Sequence, residues 1–298
     1  MFGILNLFKP AGPTSRDCVN QIQRLIRPTK VGHAGTLDPI AEGVLLVVVG
    51  QAARLVDWIH LLPKVYRGTF EMGKTSLSVD TESDVTDVPD AKIPNRRDLE
   101  AILPEFLGSI SQVPPIYSAV RIDGKRAYES ARAGETVDMP ARQVQIHRLS
   151  IVEFDFPRWV LDIECSTGTY IRSLGRDMAR RLGTDAIMTK LLRSSIGDMP
   201  SNQSVKLDEL DSRTAIESNL CNPVRCLTQF PQIVLDEVEI KRLHQGKLLD
   251  LKSLAITIDA SPTEYIMAVD QSGKLQSILS RYDEQSWRPY RNFLEIHP

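Results

Sequence analysis

The chain has 298 residues, with 36 Lys and Arg against 38 Asp and Glu for a formal net charge of −2; 42% of its residues are hydrophobic and 25% charged. That size suits one large domain, or a large one with a small one, and the composition is that of a globular chain. No apolar run approaches a bilayer span, and four scattered cysteines and five dispersed histidines suggest neither a disulfide frame nor a zinc site, so membrane and metal classes are not expected.

In chain order, residues 1 to 8 are apolar but lack a basic leader and run into Lys9 and Pro10, unlike a secretory signal, which points to the cytoplasm. Residues 3 to 8 read as a strand and 10 to 13 as a turn. Thr14 then caps a helix whose Cys18, Ile22 and Leu25 share a face. A buried strand follows from Val44 to Val49, closed by Gly50, and then a short helix from Ala52 to Ile59. From Val65 to Met72 the alternation puts Tyr66, Phe70 and Met72 on one side. Asp84 to Arg97, rich in Asp and Pro, reads as a surface excursion, and Leu99 to Leu107 as a helix that Pro104 threatens. Trp159, Leu161, Ile163 and Cys165 alternate as a half-buried strand, with Cys165 and Cys18 as core residues. Past residue 199 the chain turns polar, and short strand-like runs at Ile266 to Val269 and Leu275 to Leu279 suggest a small β-rich second domain. The fold class expected is α+β, with a boundary near residue 230.

Two segments carry chemistry. In residues 30 to 45, Gly32 and Gly35 allow close approach to the backbone, and Pro39 biases Asp38 away from helix, so one carboxylate is held in a glycine-rich loop before a strand. The plain alternative is a turn in which Asp38 bonds its own backbone. In residues 165 to 182 a strand ends, Gly168 turns, and a helix begins with Arg172, Arg176 and Arg180 at i, i+4 and i+8 opposite Ile171, Leu174, Met178 and Leu182. Such a stripe is ordinarily a solvated face. Arg172, however, stands in the first turn, where the helix dipole disfavours a cation, so an anionic partner is expected and Asp38 is the candidate. Net charge argues mildly against nucleic acid, but its distribution is uneven. Residues 80 to 90 carry five acids and no base, whereas 165 to 197 carry six bases against Asp177 and Asp185.

Five ordered segments together resemble the TruB family of tRNA pseudouridine synthases: Asn6 to Ser15; Gly32 to Pro39; Lys64, Val65 and Tyr66; Gln112 to Ala119; and Gly168 to Arg172. The Gly-His-x-Gly-x-Leu-Asp-Pro block is the most specific of them. The resemblance implies a synthase catalytic domain over 1–230, with a central mixed or antiparallel sheet flanked by helices, and a PUA-like RNA-binding domain over 231–298. It implies isomerisation of a T-loop uridine of tRNA, position 55 in tRNA numbering, with Asp38, Arg172 and Tyr66 as catalytic residues and neither cofactor nor metal. It also implies that Tyr66, Tyr170 and Leu191 line the base pocket and that His33 enters the space left by the extruded nucleotide. Lys64, Asp80, Arg121, Arg176 and Arg193 are expected at the RNA. The partner expected is the tRNA T-arm, and the protein itself a monomer.

The chemistry suits these residue types. A stacked uracil must be extruded and held by stacking and edge contacts. Asp38 then attacks C6, attacks the sugar C1′ or takes the 2′ proton, routes among which the residues do not choose. Departures from the family pattern fall at Val120 and Arg121, at Thr167 and at Leu192, positions expected to touch RNA and not the reacting atoms. Two rivals stand beside this reading: a tRNA-folding chaperone of the same fold, and an N-glycosidase, for which no second carboxylate is evident.

Overall fold

The apolar run ending at Val49 becomes the strand Ala41–Val49, buried along nearly its whole length, and the rest of the fold is arranged about it. The computed structural model describes residues 1–118, 138–251, 264–283 and 285–293, together with the backbone of a two-strand hairpin at 121–122 and 125–126. Among the described residues, the main sheet runs in the order Val205–Lys206, Gly3–Lys9, Ala41–Val49, Ala186–Ile196, Lys64–Met72, Arg158–Cys165, Arg142–Asp155 and Gly108–Gln112. Val31–Ala34 and Met199–Pro200 attach beside this path. Most neighbours are antiparallel. Two are parallel, Gly3–Lys9 with Val205–Lys206 and Ala41–Val49 with Ala186–Ile196, so the sheet is mixed.

Helix Ser15–Leu25 begins at a capping box, in which the Asp17 N–H donates to the Thr14 hydroxyl and the Thr14 N–H to the Asp17 carboxylate. Its Cys18, Val19 and Ile22 cover Leu45, Val47 and Val49 on one face of the sheet. Helix Ile171–Arg181 packs on the neighbouring region through Ile171, Leu174 and Met178. It lies close because Gly175 leaves room for the Phe70 ring; a Cβ there would stand 2.3 Å from that ring. Phe70 in turn meets Trp159 at 4.9 Å between centroids, so one aromatic pair ties helix to sheet.

Several boundaries shift from those the sequence suggests. The turn after Val49 is a 3-10 segment, Gly50–Leu55, and the α-helix begins only at Val56 and ends at Leu61. The helix expected from Leu99 starts at Arg96, because Asn95 caps it, and closes at Ile102 into a 3-10 turn carrying Pro104. Within the expected surface excursion, Thr86–Asp87 pairs with Lys74–Thr75. A second sheet, in the order Gln232–Val234, Tyr265–Val269, Leu275–Arg281, Ser286–Asn292 and Leu249–Asp250, follows in the C-terminal region. It shares a hydrophobic cluster with the preceding elements, in which Val269, Leu275, Ile278 and Phe293 pack with Ile4, Val44, Leu46 and Trp58.

Candidate active site

The Gly-rich loop is fixed from three directions. Gly35 adopts φ +97°, a conformation that side chains resist, and so turns the chain after the short strand Val31–Ala34. Arg193, on the strand Ala186–Ile196, is almost fully buried and donates to the carbonyls of Gly35 at 3.0 Å, Thr36 at 3.3 Å and Val44 at 2.7 Å. Ser15, at the start of its helix, holds both backbone groups of Leu37. On the far side, the buried Lys9 ammonium donates to the carbonyls of Pro10, Pro39 and Ala41. Burial pushes the Lys9 pKa down, and nearby Asp38 is among the groups that oppose this. With its neighbours anchored in this way, Asp38 is presented on a stiff support.

Arg172 faces Asp38. Its Nη2 donates to Asp38 Oδ1 at 3.2 Å, and its Nε lies 3.0 Å from Oδ2. The same guanidinium donates to the carbonyls of Ser78 at 2.6 Å and Tyr117 at 3.0 Å, and Nη1 stands 3.2 Å from Asp80 Oδ2. One arginine therefore stands between two carboxylates. Burial pushes the Asp38 carboxyl up from its ordinary value, Arg172 pulls it down, and the nearby Asp80 adds to the upward push. Glu82 is raised too, by burial and then by Asp80 and Asp38, so an excess of negative charge surrounds the guanidinium. Val79 reaches φ +60°, a strained value for a β-branched residue, between the two residues that address Arg172, Ser78 and Asp80.

A cavity of about 380 Å³ opens on this pair. Asp38, Arg172, Tyr66, Tyr170 and Leu191 line it, together with His33 and Lys64, so the expected catalytic and base-pocket residues are brought together. Tyr66 is nearly buried, and burial raises its hydroxyl above the ordinary value against the pull of Arg193. Tyr170 is anchored by its backbone, whose N–H and carbonyl meet the Gln112 side chain. Burial lowers the His33 pKa, as do Arg193 and Arg16. The Cys165 thiol, pushed up to about 11 chiefly by burial, sits in the core as expected.

The positions expected at the RNA are tied into the protein itself. Asp80 has no exposed surface and faces Arg172; Arg193 is almost fully buried and binds the loop carbonyls. The Lys64 ammonium is also turned inward, to the carbonyls of His60 and Leu62, and burial brings its pKa down to about 8. Lys64 and Arg193 also line the cavity. Arg176 is held by Asp177 and by the Val113 carbonyl, and Arg180 by Asp185, so the helix stripe is paired and not a free basic face. The Arg121 side chain lies outside the described residues. Lys9, Ser15, Ser78 and His60 are site residues that the sequence reading missed. Lys9 and Ser15 fall within a quoted segment, and Ser78 acts through its carbonyl, which no side-chain pattern reveals. Among the described residues no cluster of His, Cys, Asp and Glu suited to a metal ion is found.

Residues 23–171 match the sequence model described as TruB family pseudouridylate synthase, N terminal domain. Curated relatives named tRNA pseudouridine synthase B include one from Synechocystis sp., 41% identical over 87% of this chain and 88% of its own. Another, from Clostridium acetobutylicum, is 39% identical over 83% of this chain and 84% of its own. A third, from Rhodopirellula baltica, is 38% identical over 82% and 74%. Among solved structures, a chain of a Cbf5-Nop10-Gar1 complex superposes with a TM-score of 0.73 at 21% identity, covering 98% of this chain and 85% of that one, a likeness of fold.

Proposed function

Since the chain belongs to the TruB family of pseudouridylate synthases, we propose that it converts the T-loop uridine at position 55 of tRNA to pseudouridine, with Asp38 as the catalytic carboxylate. The observation that carries the residue assignment is the Asp38–Arg172 pair at the floor of a cavity walled by Tyr66, Tyr170 and Leu191.

The extruded uracil enters that cavity and stacks on Tyr66. The C1′–N1 bond breaks, the base turns, C5 bonds to C1′, and the proton on C5 leaves while the freed N1 gains one, so the net change is an isomerisation. Attack on C6, attack on C1′ and removal of the 2′ proton all require an ionised carboxylate. Arg172 keeps Asp38 charged once water is displaced, when burial would otherwise protonate it. In this reading the Tyr66 hydroxyl relays the C5 proton, and His33 takes the stacking space that the nucleotide leaves. We assign residues 1–230 as the catalytic domain and 231–298 as a PUA-like RNA-binding domain, acting in a cytoplasmic monomer. A folding chaperone that needs no turnover is not favoured, because the relatives are named as synthases.

The test is incubation of the protein with tRNA transcribed without modifications. A carbodiimide adduct that survives alkali, at position 55 alone, is the expected product. Release of free uracil would instead indicate a glycosidase, and an unmodified transcript would end the synthase reading.

A further inference from the structure

Trp58 and His60 lie two residues apart on the helix Val56–Leu61. The buried Trp58 ring is gripped from the C-terminal region by Phe230, Tyr265 and Tyr290, at 5.9, 5.4 and 5.9 Å between centroids, and the Arg291 guanidinium lies over it at 4.6 Å. This grip fixes the helix on which His60 reaches the Asp38 cavity, whose wall it shares with His33 and Lys64. The His60 carbonyl accepts from Lys64 Nζ. Its half-buried ring makes no hydrogen bond among the described residues.

That ring shares the cavity wall with the side chains of Thr36, Ser118, Ser166, Thr167 and Thr169. Lys64 and Arg193 direct their charges to backbone carbonyls, as described above. Burial and the neighbouring Lys64 lower the His60 pKa while Asp57 opposes them, which favours the neutral ring with one N–H donor and one acceptor nitrogen. A nucleotide extruded into the cavity leaves its neighbours' riboses and phosphates at the mouth, and these present the oxygens and hydroxyls such a ring can pair with. Resting on the reading of RNA as substrate, we propose that His60 is a substrate-contact residue that hydrogen-bonds the sugar–phosphate backbone beside the extruded uridine.

Initial rates on unmodified tRNA transcript, with melting temperatures, test this in the wild type, His60→Leu and His60→Gln, all assayed well below the lowest melting temperature. Wild-type turnover tests the synthase reading on its own. The Leu variant is expected to raise KM about fivefold to tenfold, roughly the contribution of one hydrogen bond, with kcat little changed. The Gln variant, which keeps a donor and an acceptor, is expected to recover most of that loss. A KM unchanged by Leu, or equal losses for Leu and Gln, overturns the proposal; so does a fall in kcat at wild-type KM.

Discussion

A single hydroxyl closes on both backbone groups of Leu37: the Leu37 N–H donates to Ser15 Oγ at 2.9 Å, and that hydroxyl donates to the Leu37 carbonyl at 3.1 Å. Both groups are buried one residue before Asp38. Ser15→Ala therefore leaves a donor and an acceptor without partners, which costs about 1–3 kcal/mol. Urea denaturation is expected to show that loss, and turnover of tRNA to show a lower kcat at near-normal KM. Wild-type kcat would mean that Lys9 and Arg193 suffice to hold the loop.

Asp38→Asn is expected to abolish pseudouridine formation while leaving tRNA binding and the melting temperature near wild type. Burial opposes charge on Asp38, and Asp80 remains to pair with Arg172, so the amide removes a reacting group without orphaning the guanidinium. Measurable turnover by the pure variant would remove Asp38 from the mechanism.

Arg172→Lys and Arg181→Lys should separate sharply. Arg181 makes only an exposed pair with Glu105, which solvent screens. Arg172 serves Asp38, Asp80 and two carbonyls at once, and a single ammonium does not reproduce that planar set. Lysine at 172 is expected to lose nearly all activity and several kcal/mol of stability. Equal effects at the two positions would refute the assignment.

Tyr66→Phe keeps the ring and loses the hydroxyl, whereas Tyr66→Leu loses both. Stacking on a base is worth ~1–3 kcal/mol by substitution, so Leu should weaken productive binding. Loss of turnover by Phe with intact binding would place the hydroxyl in the proton transfer, the outcome we expect. Full activity in both variants would reduce Tyr66 to core packing beside Phe70.

Lys64 predicts a pH signature. Its folded pKa of about 8 lies below the ordinary lysine value of 10.5, so between those values the unfolded chain binds the extra proton and stability rises with pH. Lys64→Met removes this contribution. Urea midpoints at pH 7.5 and 9.5 should therefore show wild type gaining on the variant at the higher pH; parallel changes would mean that the ammonium titrates normally.

Much of the site was written locally. Gly35, Asp38 and Pro39 carry the loop in adjacent residues, Thr14 announces its helix, and Arg172 demands an anion by its place in the first turn. The surroundings of that anion were hidden for a physical reason. Lys9 and Arg193 bind carbonyls, which every residue possesses, and only strand pairing across long separations selects which ones they meet. The partners of the arginine stripe were hidden because periodicity gives a face but not its company: Asp177 is adjacent in sequence, whereas Asp185 reaches Arg180 from beyond the helix. Helix edges moved where a cap or a proline outweighed composition, as at Asn95 and Pro104.

The strand Ala186–Ile196 lies between Ala41–Val49 and Lys64–Met72, so two parts of the site become neighbours only through a segment made much later. On a ribosome, a nascent chain ending before that segment carries the Asp38 loop without Arg193 to close it, and the apolar edge of Ala41–Val49 without its neighbour. Such an intermediate offers adhesive surface to other chains. Catalytic competence and protection from aggregation therefore arrive together, late in synthesis, when one strand slides into the gap.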